Sequence, residues 1–382
     1  MRFPSPKRAR GVSLIEMMIA LAIGTFLILG LARVFSASRT AYQLSEGVSR
    51  VQENGRFAID FIQRDLRMVG HMGCVNDQAH LQNVGALLNR VPAGTAGANS
   101  GVNFPLGIQA YEAAKTSATT MNLGTAANTW TPALPGALAA LNPAPSPGSD
   151  VLQLRFLASE GAAIQAVVVS GTTSTITVAP GRWDALTQDG VVNPTMFGIA
   201  DCSFVDLFLP SSTNAATRTV TVNAALDRYT PQPAGQTMLY RLESLVYYVA
   251  PNASGQRSLW RARALASGFY GPAEELVEGI ESLQLQLGLD RNTGTMPAES
   301  PSGYVGTFVL PSAMATTEPA SRSVGAVRLG VLASSPDRSA SGQAPLGRSV
   351  LGVRFTPADA TDTRYRFGYE STIAMRNRLY GN

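Results

Sequence analysis

Two histidines and two cysteines are the residue types here best suited to hold a metal or act as nucleophiles. His71, Cys74 and His80 fall at the spacing H-x2-C-x5-H, and Cys202 lies far downstream. A tetrahedral zinc site needs four such ligands, or three and an open position. Cys202 could supply the fourth. The same two sulfurs could instead close a disulfide in an oxidising compartment, or stay as two buried thiols. Asp290-Arg291-Asn292-Thr293-Gly294 has the look of a calcium loop, but no glutamate falls at its twelfth position. A hairpin turn accounts for it better. Asp359, Asp362 and Glu370 read as solvated or turn positions, and Trp260 as a packed strand residue. No HExxH, G-x-S-x-G, Walker loop or Rossmann fingerprint occurs. The residues thus name no catalytic group, no metal and no cofactor, and the reading is of a non-enzymatic protein.

Glu16 poses a different chemical question. It sits at the edge of an apolar run, Met17 to Ala32, in which Thr25 is the sole polar residue. A helix from Val12 to Val34 is about 35 Å long, enough to span a bilayer core. A carboxylate in such a helix costs about 2.5–3.5 kcal/mol and needs a cationic partner. Cutting the chain after Gly11 would create one, the new α-amino group of Val12, within the chain or from a neighbour. Arg2, Lys7, Arg8 and Arg10 precede the run with no acid among them, which predicts a cytoplasmic start and a C-terminal part across the inner membrane. The alternative is a secretory signal cut near Ser36-Ala37-Ser38. Glu16 beside the apolar run and Arg33 close to that cut count against it.

Placing these residues falls to one long helix and a set of strands. Leu44, Val48, Val51, Ala58, Ile62, Leu66 and Val69 recur at three- and four-residue spacing or its multiples, and charges occupy the other faces. Glu46–Arg50 and Asp60–Arg64 are favourable i,i+4 pairs. This predicts one helix from about Val12 to Val69, ending at Gly70 or Gly73. Its second half must pack on its own globular part, because Gly47 and Gly55 interrupt any coiled-coil pattern. Residues 76–149 are rich in Ala, Gly, Asn, Thr and Pro and read as long loops, as does the Pro/Ser/Thr-rich stretch near 295–320. Strand patterns fall at Val151–Leu157, Ile164–Val169, Ser174–Val178, Ser203–Leu209, Thr217–Val222, Leu276–Leu289, Val324–Ala333 and Tyr365–Met375. Met238–Val249 and Ser258–Ala264 read as a hairpin around Pro251–Gly255. The fold class is α+β, a long N-terminal helix on a large antiparallel β-rich domain.

Composition narrows the function. The 382 residues are 45% hydrophobic and only 15% charged, with 36 Gly and 23 Pro. Residues 1–11 hold four of the 30 basic residues, and residues 12–382 hold 26 of each sign. The pI of 9.2 therefore reflects the first residues rather than a basic surface, and no nucleic-acid partner is expected.

Gly11-Val12-Ser13-Leu14-Ile15-Glu16, behind a short basic leader and before an apolar helix, resembles the cleavage motif of type IV prepilins. That resemblance implies that a membrane prepilin peptidase cuts after Gly11 and methylates Val12, and that Glu16 serves assembly. The chain resembles the PilW type of minor pilin through its size, Cys74, Ala200-Asp201-Cys202, Val277–Gln284, Val327–Val331 and Ala374–Arg378. The implied organisation is a leader at 1–11, a transmembrane half at 12–34, an amphipathic stalk at 35–70 and a periplasmic β-rich domain at 71–382. The implied fold is pilin-like, with a Cys74–Cys202 disulfide if the thiols are oxidised. The implied role is structural, in a minor-pilin tip complex that starts pilus assembly. Implied partners are other minor pilins, the major pilin, the assembly platform and a tip adhesin, first in the inner membrane and then at the cell surface. Two other readings are a J-type pseudopilin of type II secretion and a membrane-anchored or secreted β-rich binding or hydrolytic domain.

Overall fold

The structure is a computed structural model that describes residues 11–74, 85–92, 101–113, 120–290, 302–336, 348–357, 359 and 361–378. His80 lies outside the described residues. The chain opens with α1 (Leu14–Leu66), followed by β1 (Leu87–Asn89), β2 (Ile108–Ala113), β3 (Thr120–Asn122), β4 (Trp130–Thr131) and the short α2 (Gly136–Ala139). Then come β5 (Val151–Ser170), β6 (Thr173–Val178), β7 (Phe197–Ala200), β8 (Val205–Phe208), β9 (Ser212–Asn214) and β10 (Thr219–Val222). The C-terminal part holds β11 (Met238–Pro251), β12 (Arg257–Arg263), β13 (Glu274–Glu278), β14 (Ile280–Asp290) and β15 (Val305–Val309). It ends with α3 (Glu318–Arg322), β16 (Val324–Ser334), β17 (Arg348–Val350), β18 (Val353–Thr356) and β19 (Arg366–Ala374).

Among the described residues the strands form three sheets. The largest has 12 strands around the path β1-β8-β7-β11-β5-β6-β10-β9, with β12–β13 and β2–β4 branching from it. A second runs β15-β14-β16-β19, and a third β17-β18-β3. Pairings are antiparallel except β1 with β8 and β18 with β3. One hydrophobic core joins the helix to the first two sheets: Val51, Ala58, Ile62 and Leu66 of α1 meet Tyr247 and Val249 of β11, Leu283 to Leu287 of β14, and Val327 to Val331 of β16. Burial of such apolar surface is the dominant favourable term in folding. The architecture is α+β, a long helix laid on antiparallel sheet.

Four expectations are corrected. Residues 76–149 are not only loops, because β2 is buried along its whole length and pairs with β5. Its polar Gln109 and Glu112 hide it from any alternation test. Residues 295–320 hold β15 and the start of α3. Two strands expected at 151–157 and 164–169 are one, β5, whose Gly161 leaves room for the Tyr240 ring where a Cβ would lie 2.6 Å away. The run 276–289 is cut in two at Gly279, whose φ of +75° a residue with a Cβ rarely adopts.

Candidate functional site

The first turn of α1 brings Ser13 and Glu16 together as a reciprocal cap. Ser13 is extended (φ −76°, ψ 151°), and its Oγ accepts the Glu16 N–H at 3.2 Å. Glu16 Oε2 accepts the Ser13 N–H at 3.0 Å. Two helix-start donors that have no intrahelical acceptor are thus satisfied. The S-x-x-E spacing carries this signal in the sequence. Gly11 and Val12 lie ahead of the cap, outside the helix and exposed. Glu16 has no cationic partner among the described residues.

Beyond the cap α1 stands bare. From Leu14 to Glu46 no residue is buried, and Leu14 and Phe26 are about four-fifths exposed, at 80% and 77%. That stretch is about 50 Å long at 1.5 Å per residue. Its best 18-residue window has a mean hydropathy of 2.3 and is wholly unburied, long and apolar enough to cross a membrane. Thr25 donates to the Leu21 carbonyl at 2.7 Å, so its hydroxyl proton is satisfied inside the helix. A helix with apolar residues on every side needs lipid or other helices around it.

The rest of α1 is held hard against the sheets. Its buried stripe is Gly47, Val51, Gly55, Ala58, Ile62, Asp65 and Leu66. Leu44 is instead exposed. The two glycines belong to the stripe rather than interrupting it. A Cβ on Gly55 would sit 2.3 Å from the Tyr369 ring of β19. Tyr247 donates its hydroxyl to Asp65, and Arg261 lies 3.6 Å from the same carboxylate. Burial raises the Asp65 carboxyl above its ordinary range, against the opposing pull of the Tyr247 hydroxyl, Arg261 and Arg64. Arg64 reaches Asp189 at 2.8 Å, and Arg241 ties Asp189 to Glu243.

The helix exit is fixed as firmly. His71 pairs through its carbonyl with the Leu157 N–H at 3.2 Å, and its Nδ1 faces the Leu157 carbonyl at 3.1 Å. Burial lowers the His71 pKa. Cys74 is joined to Cys202, with Cα atoms 4.8 Å apart. Both sulfurs are therefore taken up in a bridge between the α1 exit and the turn after β7. Asp290 closes the base of a hairpin from β14 to β15, accepting from Ser302 N–H and Oγ–H at 2.9 and 2.7 Å and from Gly303 N–H at 2.9 Å. Among the described residues no three His, Cys, Asp or Glu side chains gather as a metal site would require.

The comparisons with known proteins bear on the two ends of the chain. Residues 6–32 match the family model of the prokaryotic N-terminal methylation motif, and residues 246–377 match that of the type IV pilus-assembly protein W. The chain is similar in structure to the type IV-like pilin TTHA1219 from Thermus thermophilus, at 14% identity and a TM-score of 0.22, covering 57% of this chain and 86% of that one. No curated protein matches it.

Proposed function

We propose that this PilW-like minor pilin of the type IV pilus class joins a small minor-pilin complex that starts a fibre and remains near its tip. The observation that carries this reading is the bare apolar half of α1 behind the Ser13–Glu16 cap. That half is stored in the inner membrane before assembly, and among neighbouring pilin helices after it. Prepilin peptidase cuts after Gly11 and methylates Val12. The freed amine then meets Glu16, of the same chain or of a neighbour. Pairing two charges in a medium of low dielectric offsets the cost of placing the carboxylate there.

The size of the folded part supports a place at the end of a fibre. Most of the chain hangs from one helix, and closely stacked helices leave little room for so large a head on every subunit. A few copies at an end avoid that crowding. The folded domain lies on the periplasmic side, where the Cys74–Cys202 bridge is stable. Partners are the major pilin, other minor pilins and the assembly platform, with a tip adhesin as a further contact.

Mass spectrometry of the N-terminal peptide from a membrane fraction tests the processing step. Methylated Val12 is the expected terminus. A start near Arg39, or an intact Met1, removes the reading. Deleting the gene is expected to cut fibre number sharply while the major pilin still accumulates in the membrane. Unchanged fibre counts would overturn the initiating role.

A further inference from the structure

Among the described residues β19 is the last strand of the sheet β15-β14-β16-β19. Between β19 and the helix runs an open groove of about 630 Å³. Glu53, Arg56, Phe57 and Asp60 line its helix wall, and Phe367 and Tyr369 its sheet wall. Phe57 and Phe367 are nearly half exposed, at 49% and 44%. The groove is outside the membrane-like half of α1 and plays no part in the processing motif.

Two further observations say what fits there. The first is the outer edge of β19 from Gly368 to Thr372, beyond the Arg366 carbonyl, which accepts the Arg348 Nε–H at 3.0 Å. The Met375 N–H donates to the Gly325 carbonyl, and the register pairs Ile373 with Val327 and Tyr369 with Val331. In an antiparallel ladder, residues alternate between pointing their backbone groups at the partner strand and away from it. Gly368, Glu370 and Thr372 therefore direct N–H and C=O outward, and among the described residues no backbone group pairs with them. These groups repeat at the spacing of a polypeptide, so the missing partner is an extended chain. The second is charge. Glu53, Arg56 and Asp60 make no ion pair among the described residues, and together they are acidic. Arg366, at the start of β19, forks onto Glu281 of β14 at 2.7 and 2.9 Å, which holds this edge in place.

We propose that β19 and the α1 groove receive an extended segment of a partner protein by strand addition, with an apolar residue between Phe57 and Phe367 and Lys or Arg at the flanking alternate positions. The backbone edge supplies affinity, and the acids of α1 select the basic side chains.

The test places a photo-crosslinking amino acid at Phe367 or Phe57 of the full chain in cells, with Val168, 60% exposed on the far arm of the large sheet, as control. Adducts at 367 and 57 well above the control, mapping to one extended apolar-and-basic segment of another protein, are expected. In the 367 background, Thr372→Pro removes one outward N–H and leaves the ladder to β16 intact, and is expected to lower the yield by about tenfold. Paired Glu53→Lys and Asp60→Lys substitutions do the same, and an unchanged melting temperature shows that the fold survives. No adduct above the control, adducts to lipid alone, adducts to a helix, or a yield untouched by Thr372→Pro each overturns the strand-addition site. The adduct forms on membrane-inserted chain before any fibre exists, so a failure of assembly at Glu16 leaves this result readable.

Discussion

Glu16 accepts one hydrogen bond from the Ser13 backbone, and this leaves its second oxygen for a cation. Replacement by valine removes both roles. On the proposed pairing of Glu16 with a neighbour's Val12 amine, Glu16→Val is expected to insert and be cut after Gly11, yet to assemble few fibres. Fibre counts by electron microscopy check this; normal piliation sinks the pairing role. Glu16→Gln keeps the acceptor for Ser13 but not the charge, so it should insert equally well and assemble as poorly as the valine variant. Asp65 is the other acid of α1 whose surroundings decide its behaviour. Burial raises its folded carboxyl above the unfolded value, so between the two the folded chain holds a proton that the unfolded chain has lost. Its effect on stability is favourable below the unfolded value and fades as pH rises through the folded one. Asp362 runs the other way. Its burial is outweighed by bonds from Arg364 and Arg366, which hold it below the carboxylate range, and its contribution is lost as pH falls. Asp65→Asn is therefore expected to gain stability relative to the parent as pH rises from about 4 to 7. Melting curves of the detergent-solubilised chain across that range decide it, and parallel profiles would show that Asp65 does not titrate there.

Between the secondary-structure elements, Asp150 links two sheets with a single side chain. It precedes β5 and is 1% exposed. One carboxylate oxygen accepts the Ala113 N–H at the end of β2 at 2.9 Å, and the other accepts the Leu285 N–H of β14 at 2.9 Å. The Asp150 N–H donates to the Leu283 carbonyl at 2.8 Å, and Ser149 Oγ accepts the Leu283 N–H at 3.0 Å. Side chains thus complete the edge of β14 where no strand pairs with it. Asp150→Ala removes the acceptor of the Leu285 N–H and one bond to Ala113, and should cost about 1–3 kcal/mol. Urea denaturation measures this, and a loss under about 0.5 kcal/mol would mean that water replaces the carboxylate. None of this is legible in the sequence, where Asp150 stands at the end of a Pro-rich loop stretch and nothing local names its partners. Helix α1 was legible because an apolar run and a stripe at three- and four-residue spacing are local signals. So were β6 and β10, which alternate a buried face with a partly open one, β12 and β19, and β16, buried on both faces but apolar from Val324 to Ala333 apart from Arg328. β2 was not, because both of its faces are covered and its buried Gln109 and Glu112 break the alternation. The cap was present as Ser13 and Glu16, but spacing alone does not show that the two side chains bond each other's backbone. The groove beside β19 depends on which strand ends the sheet, and strand order is not written in any one segment.

For the chain taken entire, the decisive contrast is between a helix half with nothing around it and a helix half fixed at several points. Force applied to the bare half of α1, as by neighbours in a fibre, passes into the domain through the stripe from Gly47 to Leu66 and leaves through the exit segment His71 to Cys74. Surface ion pairs such as Arg64–Asp189 resist such a load weakly, since both partners are largely in water. The hydrogen bonds between His71 and Leu157 resist it only while the strand beneath stays folded. The Cys74–Cys202 bridge is covalent and spans 128 residues, so it ties the helix exit to the far side of β1, β2 and β5 in sequence terms. A closed loop of that length restricts the unfolded chain strongly, and removal of a native bridge of this kind costs about 2–5 kcal/mol. Cys74→Ser and Cys202→Ser should each lower the urea midpoint by a matching amount, and the double variant by no more than either single one, because all three remove the same link. Hydrogen exchange adds the location: the Leu157 amide, bonded to His71, should exchange faster in the variants, while Tyr247 and Val249 in the core are slowed as in the parent until global unfolding. Additive losses in the double variant would mean that each serine disturbs its own surroundings, and that the bridge is not what holds the helix exit to the sheet.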